Sequence, residues 1–372
     1  MKLSKKVLIK SGIVLISLLV GVIVTMAVYF NVSSSGGDVA VITTQRTAPH
    51  VINHPQDVYH NKDETLSQRF TLKVLSGSHR GRSYTITNTY LKSQLMTQEY
   101  RIGQRVFIAF TKGRPHLLGP KRDWVLVLAL VLTLTLMIAV SGRKSILLMA
   151  SLALNGILFA GVVKLDIVEN GTAIFPIYGT AALLFSLISL MIVQGFSLKM
   201  WVTWSATVVG VAVSFALCYA VMRLTHETGI KYEAVDYATQ DPRSLFLAQM
   251  ILGVLGAVMD EATDILSSLY ALIQTKPTLT KKALWESGRR LGQEIMGPLI
   301  NVLVLIFMAE ALPMTILFLR DNNTLSYTFQ FALSLGLVQS VVSAIGIVLL
   351  VPISTGFSFV FLREKKRQGG QK

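Results

Sequence analysis

The sequence contains little cysteine and little charge. Its single cysteine, Cys218, lies inside a hydrophobic run, so no disulfide framework can form within one chain. Only 15% of the 372 residues are charged, whereas soluble domains usually carry about 25%. Hydrophobic residues make up 52% of the chain, and its mean hydropathy is +0.56. These values exclude an ordinary soluble protein and favour one that is embedded in a lipid bilayer.

Several motifs that would indicate a particular chemistry are missing. No glycine-rich P-loop occurs between the hydrophobic runs, which excludes a built-in ATPase. All six histidines lie outside those runs, which disfavours a histidine relay or a zinc hydrolase in the bilayer. His50 and His54 are four residues apart, but Pro49 and Pro55 oppose the helix that a metal site with this spacing needs. We predict no catalytic residue and no cofactor, and leave metal binding open.

The net charge of +15 does not indicate a nucleic-acid partner. Nucleic-acid binding proteins gather Lys and Arg on one patch, whereas these basic residues are spread between hydrophobic runs. In membrane proteins basic residues at such positions set the topology. The predicted partner is therefore the lipid bilayer.

Eight hydrophobic runs approach the roughly 20 residues that a membrane-spanning helix needs. The first, 7–30, is too long for a typical signal peptide and has a poor cleavage site, so we interpret it as a retained anchor. The last run continues to residue 362, which predicts a kink near Pro352 or an extension beyond the membrane. The later seven runs lie at about 124–140, 145–163, 174–194, 200–222, 245–273, 295–319 and 328–350.

The basic residues predict that both termini are cytoplasmic. With that orientation the short outer loops hold 5 Lys and Arg and the inner segments hold 17. The other 13 lie in a long outer segment, which the positive-inside rule barely constrains. An odd number of spans would remove this bias, so the charges support eight. The inner basic residues occur in segments 2–10, 143–144, 199, 276–290 and 363–372.

The long outer segment, 31–123, shows the pattern of a small β-rich domain. After a flexible tether at 33–37, apolar residues alternate over 70–75, and further strand patterns follow at 83–89 and 105–110. A small barrel or sandwich fits this pattern. The predicted fold is an all-α polytopic membrane bundle of about eight helices, with the β-rich domain between helices 1 and 2. Its predicted parts are an anchor helix (1–30), the β-rich domain (31–123), a seven-helix membrane domain (124–362) and a basic cytoplasmic tail (363–372).

Three carboxylates lie near the middle of the sixth run, namely Asp260, Glu261 and Asp264. Each costs about 2.5–3.5 kcal/mol at the centre of a bilayer, so they must face a wet cavity, bind cations or be protonated. Asp260 and Asp264 are four residues apart and share one helix face, which Ser267 and Ser268 extend. No Lys or Arg lies deep in another run to pair with them. A structural role for protonated carboxyls stays open.

The seventh run supplies further polar side chains. Glu294 and Asn301 are seven residues apart and lie close to one helix face, whereas Glu310 lies roughly opposite. Gln339 in the last run is interpreted as a residue that holds helices together. We predict an ion-binding or substrate-binding site made of the following residues: Asp260, Glu261, Asp264, Ser267, Glu294 and Asn301.

Three functions are compatible with this site. A transporter or permease for a small solute, cation or proton explains the carboxylates best, because oxygen-rich clusters in spans hold coupling ions. A sensor or assembly protein, with a protein partner for the outer domain, explains that domain better but leaves the acids unexplained. An intramembrane metal-dependent transferase is less favoured, because Asp260–Asp264 resembles a magnesium-binding motif but no second acidic motif follows. We therefore do not predict an enzyme.

Several segments around these carboxylates resemble a known family. The acid-containing segment 292–298, together with 256–260, Ser267, Ser268 and Asn301, resembles the YibE/F-like family of multi-span bacterial membrane proteins. The outer stretch 70–110 resembles the domain that precedes the spans in longer members. Where the family usually has arginine, aspartate and threonine, this chain has Gln293, Glu294 and Pro298, so only the acid is retained. The resemblance implies a multi-pass protein of the bacterial plasma membrane and no particular activity.

Overall fold

A computed structural model describes residues 5–31, 37–94, 97–142, 144–169, 171, 173–232, 241–276 and 279–369 of the chain. The chain divides into two compact units, Met1–Ile146 and Leu147–Lys372. The predicted tether lies outside the described residues except for Gly37, and so do the chain ends at 1–4 and 370–372.

The first unit contains a five-stranded antiparallel sheet between two long helices, α1 and α2. The sheet order is β3-β2-β1-β4-β5. The element bounds are α1 Lys5–Phe30, β1 Asp38–Asn53, β2 Thr65–Val74, β3 Ser83–Leu91, β4 Arg105–Thr111, β5 Arg114–Pro120 and α2 Asp123–Ser141.

The sheet core follows the alternation of the sequence. In β2 the side chains of Phe70, Leu72 and Val74 are buried, while that of Lys73 is exposed. The strands predicted at 83–89 and 105–110 are confirmed as β3 and β4. The described strands form one sheet instead of the expected barrel or sandwich, because the long strand β1 pairs with β2 on one side and β4 on the other.

The sheet is fastened to the end of α1 by two basic side chains. Arg105 Nη1 donates a hydrogen bond to the carbonyl of Tyr29 at 2.5 Å, and Lys121 Nζ donates to that of Val28 at 2.8 Å. Lys121 is almost fully buried and also pairs with Asp123 at the start of α2, at 2.7 Å. These bonds satisfy carbonyls that a helix end leaves without partners. They connect the sheet to both flanking helices.

The second unit is helical. α6 is capped by Asp241 with Pro242 at its first position, and Thr280 caps α7. A π-helical turn, Phe329–Leu333, precedes the last helix. The helices are α3 Lys144–Val168, α4 Ile174–Gln194, α5 Leu198–Leu224, α6 Pro242–Thr275, α7 Lys281–Arg320, α8 Leu325–Thr328 and α9 Ser334–Gly369.

α9 packs against α5, α6 and α7 through small residues. A methyl group built on Gly346 of α9 would lie 2.8 Å from Val258 Cγ2 of α6 and 3.1 Å from Ser214 Oγ of α5. On the α7 side, Gly292 is in close contact with Val351 of α9. Small residues are what allow helix backbones to approach closely in membrane proteins. α9 is thus a central helix of this unit.

Eight helices of the described residues are long and apolar enough to cross a membrane. This number and the position of the sheet between the first two agree with the sequence prediction, and they indicate a multi-pass membrane protein. α9 is helical through Pro352 to Gly369, and so includes most of the predicted tail. α7 begins at Lys281, whereas the predicted run began at 295, because polar residues continue the same helix without adding hydropathy.

Candidate functional site

The start of α6 is held by charged groups that neutralise one another. Arg243 pairs with Glu227 at 2.5 Å, and the hydroxyl of Tyr232 donates to the same carboxylate at 3.1 Å. Burial, followed by this bond to Glu227, raises the pKa of Tyr232 to about 12. The phenol therefore stays a neutral donor at ordinary pH. These groups anchor the helix and leave its carboxylates further along free for another role.

One face of α6 carries an exposed polar stripe. Gly256, Asp260, Asp264 and Ser268 follow one another at intervals of four residues, and all four are exposed. Residues four apart lie on one side of a helix. The two aspartates share one face, as the spacing predicted, and that face is the uncovered side of α6. We refer to these four residues as the acidic stripe.

The third carboxylate, that of Glu261, lies on the covered side of the same helix. Its residue is 1% exposed, and neither carboxylate oxygen has a hydrogen-bond partner. Val258 and Ile265, about one turn away on either side, are fully buried. Buried polar groups are normally hydrogen-bonded, and a bare buried carboxylate is costly. Glu261 is therefore buried, whereas the two aspartates with which the sequence grouped it are exposed.

The other predicted site residues lie partly on α7. Ser267 of α6 is half-buried, and Glu294 and Asn301 of α7 are exposed. No hydrogen bond or ion pair found in the described part of the chain joins these two α7 residues to the α6 carboxylates. Within the same residues, no group of three His, Cys, Asp or Glu side chains is placed to hold a metal ion. The grouping of all six residues in one site stays a prediction.

Gln339 bridges helices, as the sequence predicted. Its side-chain oxygen accepts a hydrogen bond from Gln249 Nε2 of α6 at 3.0 Å. Gly253 allows this approach, because a methyl group there would collide with the Gln339 amide. The bond joins α6 to α9 close to the N-terminal end of α6.

Sequence reasoning missed a polar contact between α3 and α4. Asn155 Nδ2 and Ser151 Oγ both donate to Ser189 Oγ, at 2.5 and 3.2 Å. Gln194, at the end of α4, is also buried at both amide atoms without a partner. The four-residue spacing of Ser151 and Asn155 in an apolar run was the signal that could have identified the first contact. Polar residues in such runs commonly hold helices together.

Comparison with family models covers most of the chain. Residues 129–364 match the model described as YibE/F-like protein, and residues 38–118 match the one described as YibE/F family N-terminal domain. No curated protein and no solved structure matches the chain. The two matches coincide with the helical region and with the sheet.

Proposed function

Since the chain belongs to the YibE/F-like family, whose model spans its apolar helices, we propose that it is a permease for a small solute or cation. The acidic stripe of α6 carries this proposal. It presents two carboxylates, Asp260 and Asp264, on the uncovered side of a helix that is long and apolar enough to cross a membrane.

The position of the stripe supports a pathway. In the most apolar window of α6, 61% of the residues are buried, more than in any other candidate span, so α6 is an interior helix with one open face. Each carboxylate on that face costs about 2.5–3.5 kcal/mol if it meets hydrocarbon. Water or a cation against the stripe removes this cost. Asp260 and Asp264 accordingly face an aqueous route, and their negative charge selects cations.

Further oxygen ligands come from the neighbouring polar residues. Ser267 lies beside the stripe on α6, and Glu294 and Asn301 line the exposed side of α7 in the proposed site. Carboxylate, amide and hydroxyl oxygens are the ligands that hard cations prefer. Transporters hold coupling ions with such groups near the middle of the membrane.

We further place the chain in the bacterial plasma membrane with both termini in the cytoplasm and the sheet outside. The excess of Lys and Arg in the segments that this orientation makes cytoplasmic supports it. Cysteines introduced one at a time into a Cys218→Ser background report the orientation. An impermeant thiol reagent added outside intact cells should label a cysteine at exposed Thr43 and not one at Lys282.

Cation flux in proteoliposomes tests the proposal. Asp260→Asn and Asp264→Asn should each lower the flux at least about tenfold, the effect of losing roughly 1.4 kcal/mol of cation stabilisation. Glu310→Gln is the matched control, because Glu310 is also an exposed carboxylate, on α7 and outside the proposed site. Flux that is unchanged in both aspartate variants, at equal insertion, would exclude a pathway along the stripe.

A sensor function is the second candidate, and a cavity in the outer domain favours it. The cavity measures about 580 Å³ and lies near the ion pair of Lys92 with Glu64. Its lining is polar: His54, Gln56, Lys62, Asp63, Glu64 and Lys92. The bonds from Arg105 and Lys121 to the end of α1 would pass a change in the sheet to the helices. A cellular activity that survives Asp260→Asn but is lost with Lys62→Ala would favour the sensor over the permease.

A further inference from the structure

Glu261 lies on the face of α6 that packs against α9 and α5. It follows Val254 by seven residues and Val258 by three, and both valines approach Gly346 of α9. Residues at these intervals share a helix face. The carboxylate therefore lies on the side of α6 that faces its two neighbours.

Thr207 of α5 lies at the same level as Glu261. Gly210 of α5 approaches Val258 of α6. Eight residues further along α5, Cys218 contacts Met250, which lies eight residues before Val258 on α6. The two helices are therefore antiparallel with a constant register. Thr207, one turn before Gly210, is level with Glu261, one turn after Val258. Thr207 is fully buried.

Ser354 of α9 belongs to the same level. Ser214 of α5 approaches Gly346 of α9. Four residues before Ser214, Gly210 approaches Leu350, which lies four residues after Gly346 on α9. The register brings Thr207 level with the residue that precedes Ser354. Ser354 is fully buried, and its hydroxyl oxygen has no hydrogen-bond partner. Two buried, unsatisfied polar side chains, Glu261 and Ser354, thus lie at one level of the three-helix contact.

Among the described residues of the helices that surround this level, no positively charged side chain is placed to neutralise Glu261. On α6 the neighbouring titratable groups are Asp260 and Asp264, which are acids. α9 has none over 334–361, and α4 has only Tyr178, which packs beside Ala248 at the outer end of α6. The titratable groups of α5 are Lys199, Cys218, Tyr219 and Arg223, all at least two turns from Thr207. Those of α7 are exposed at Lys281, Lys282, Glu286, Arg289, Arg290, Glu294, Glu310 and Arg320.

We propose that Glu261 is a proton-binding site of the helical unit, with Thr207 and Ser354 as its polar neighbours. This inference rests on the proposed permease and names the proton as its coupling ion. A proton alone makes the buried carboxylate neutral, so the closed, dry arrangement is stable only when Glu261 carries it. One carboxylate and two hydroxyls are fewer oxygens than the six to eight that calcium takes or the six of magnesium.

The proton can leave Glu261 only when α5, α6 and α9 separate at this position and admit water. Ionised Glu261 needs water or several hydrogen-bond donors, and of the two hydroxyls at this level that of Thr207 already donates to the carbonyl of Thr203. Loss of the proton to water therefore favours separation of these helices, and its return favours closure. The acidic stripe, on the adjoining exposed side of α6, is where such a movement would act on a bound solute.

A hydrophobic carbodiimide tests this site, because it reacts with protonated carboxyl groups in apolar surroundings. The purified full-length protein is labelled across a range of pH, and the modified peptide is identified by mass spectrometry. Glu261 should be labelled at acidic pH, and labelling should fall about tenfold per pH unit above a midpoint. Sodium and potassium should have no effect at constant pH. Glu261→Gln should abolish the label, whereas Asp260→Asn and Asp264→Asn should retain it.

Further measurements separate the outcomes. Ser354→Ala should move the midpoint to higher pH, because it removes a hydroxyl that stabilises the ionised form, and an unmoved midpoint removes Ser354 from the site. Labelling that sodium suppresses, or that does not depend on pH, overturns the proton site. If nothing is labelled, an infrared carbonyl band of a protonated carboxyl that Glu261→Gln removes supports the site, and its absence overturns it. Labelling without flux in liposomes keeps the proton site and excludes the permease. Flux with neither the label nor the infrared band does the reverse.

Discussion

The sheet and the helices differ in whether their buried polar groups have hydrogen-bond partners. Among the described residues, every buried side-chain atom without a hydrogen-bond partner lies in a helix, and none lies in the sheet. Gln68, at the centre of β2, is fully buried, and its amide can donate to the carbonyl of Tyr100 at 3.1 Å and accept from Tyr100 N at 2.8 Å and Asn88 Nδ2 at 3.1 Å. Glu261 and Ser354 in the helices are equally buried and have no partner.

This difference distinguishes a structural polar group from a functional one. A buried polar side chain with all its partners stabilises one arrangement of the chain. A buried side chain without partners destabilises the closed arrangement unless something else binds to it. The buried polar groups of the sheet therefore have all the partners they need. The carboxylate of Glu261 is instead stable in the closed arrangement only when it carries a proton.

Removing apolar contacts from the sheet should have the largest effect. Phe70→Ala should destabilise the sheet by about 3–5 kcal/mol, because the ring is 1% exposed and lies edge-on to Tyr100. Hydrogen exchange of β1 and β2 peptides in the full-length protein measures this. Lys73→Ala, an exposed neighbour on the same strand, is the control and should leave exchange unchanged. Equal exchange in both variants would contradict a sheet core centred on Phe70.

Overpacking the contact of α9 with α5 and α6 comes next. Gly346→Ala should destabilise the helical unit by about 1–3 kcal/mol, because the added methyl collides with Val258 and crowds Ser214. Thermal unfolding in detergent measures the change. Gly356→Ala, in the same helix but with no atom near the new methyl, should be neutral or slightly stabilising. If Gly356→Ala were equally destabilising, the loss in Gly346→Ala could not be assigned to the contact with Val258 and Ser214.

The same type of substitution should have opposite signs in the two regions. Glu261→Leu should raise the stability of the helical unit by roughly 1 kcal/mol, because it removes a buried group without partners, and should abolish flux. Gln68→Leu should instead lower the stability of the sheet, because it leaves the backbone of Tyr100 unpaired. Thermal unfolding measures the stability change in Glu261→Leu, and hydrogen exchange measures that in Gln68→Leu. A loss of stability in both would mean that Glu261 has a structural partner.

The smallest effect should come from acid on the domain that contains the sheet. Ser93 Oγ donates to Asp63 at 2.6 Å, and this bond, with that of the Glu64 amide, lowers the pKa of Asp63. A lowered pKa contributes stability above the unfolded value near 3.9, which is lost as the pH falls through the folded value. Hydrogen exchange of 62–65 and 91–94 should therefore accelerate under strong acid. Ser93→Ala should move this acceleration to higher pH, and an unmoved profile would exclude the bond as its cause.

Some elements were predictable because their pattern is local. The alternation of Phe70, Leu72 and Val74 predicted β2, and the apolar runs predicted eight helices. β1 was not predicted, because its C-terminal half carries Pro49 and exposed polar residues. That half depends on pairing with β2. The early start of α7 was missed for a similar reason, because residues 281–294 are helical but not apolar.

The sequence by itself determined that Asp260, Glu261 and Asp264 lie in one apolar helix and that Asp260 and Asp264 share a face. Only the tertiary structure decided that this face is open and that Glu261 is buried level with Thr207 and Ser354. The physical reason is that periodicity defines the sides of a helix but not what covers them. That depends on close approaches such as Gly210 to Leu350 and Gly346 to Val258, between residues far apart in the chain.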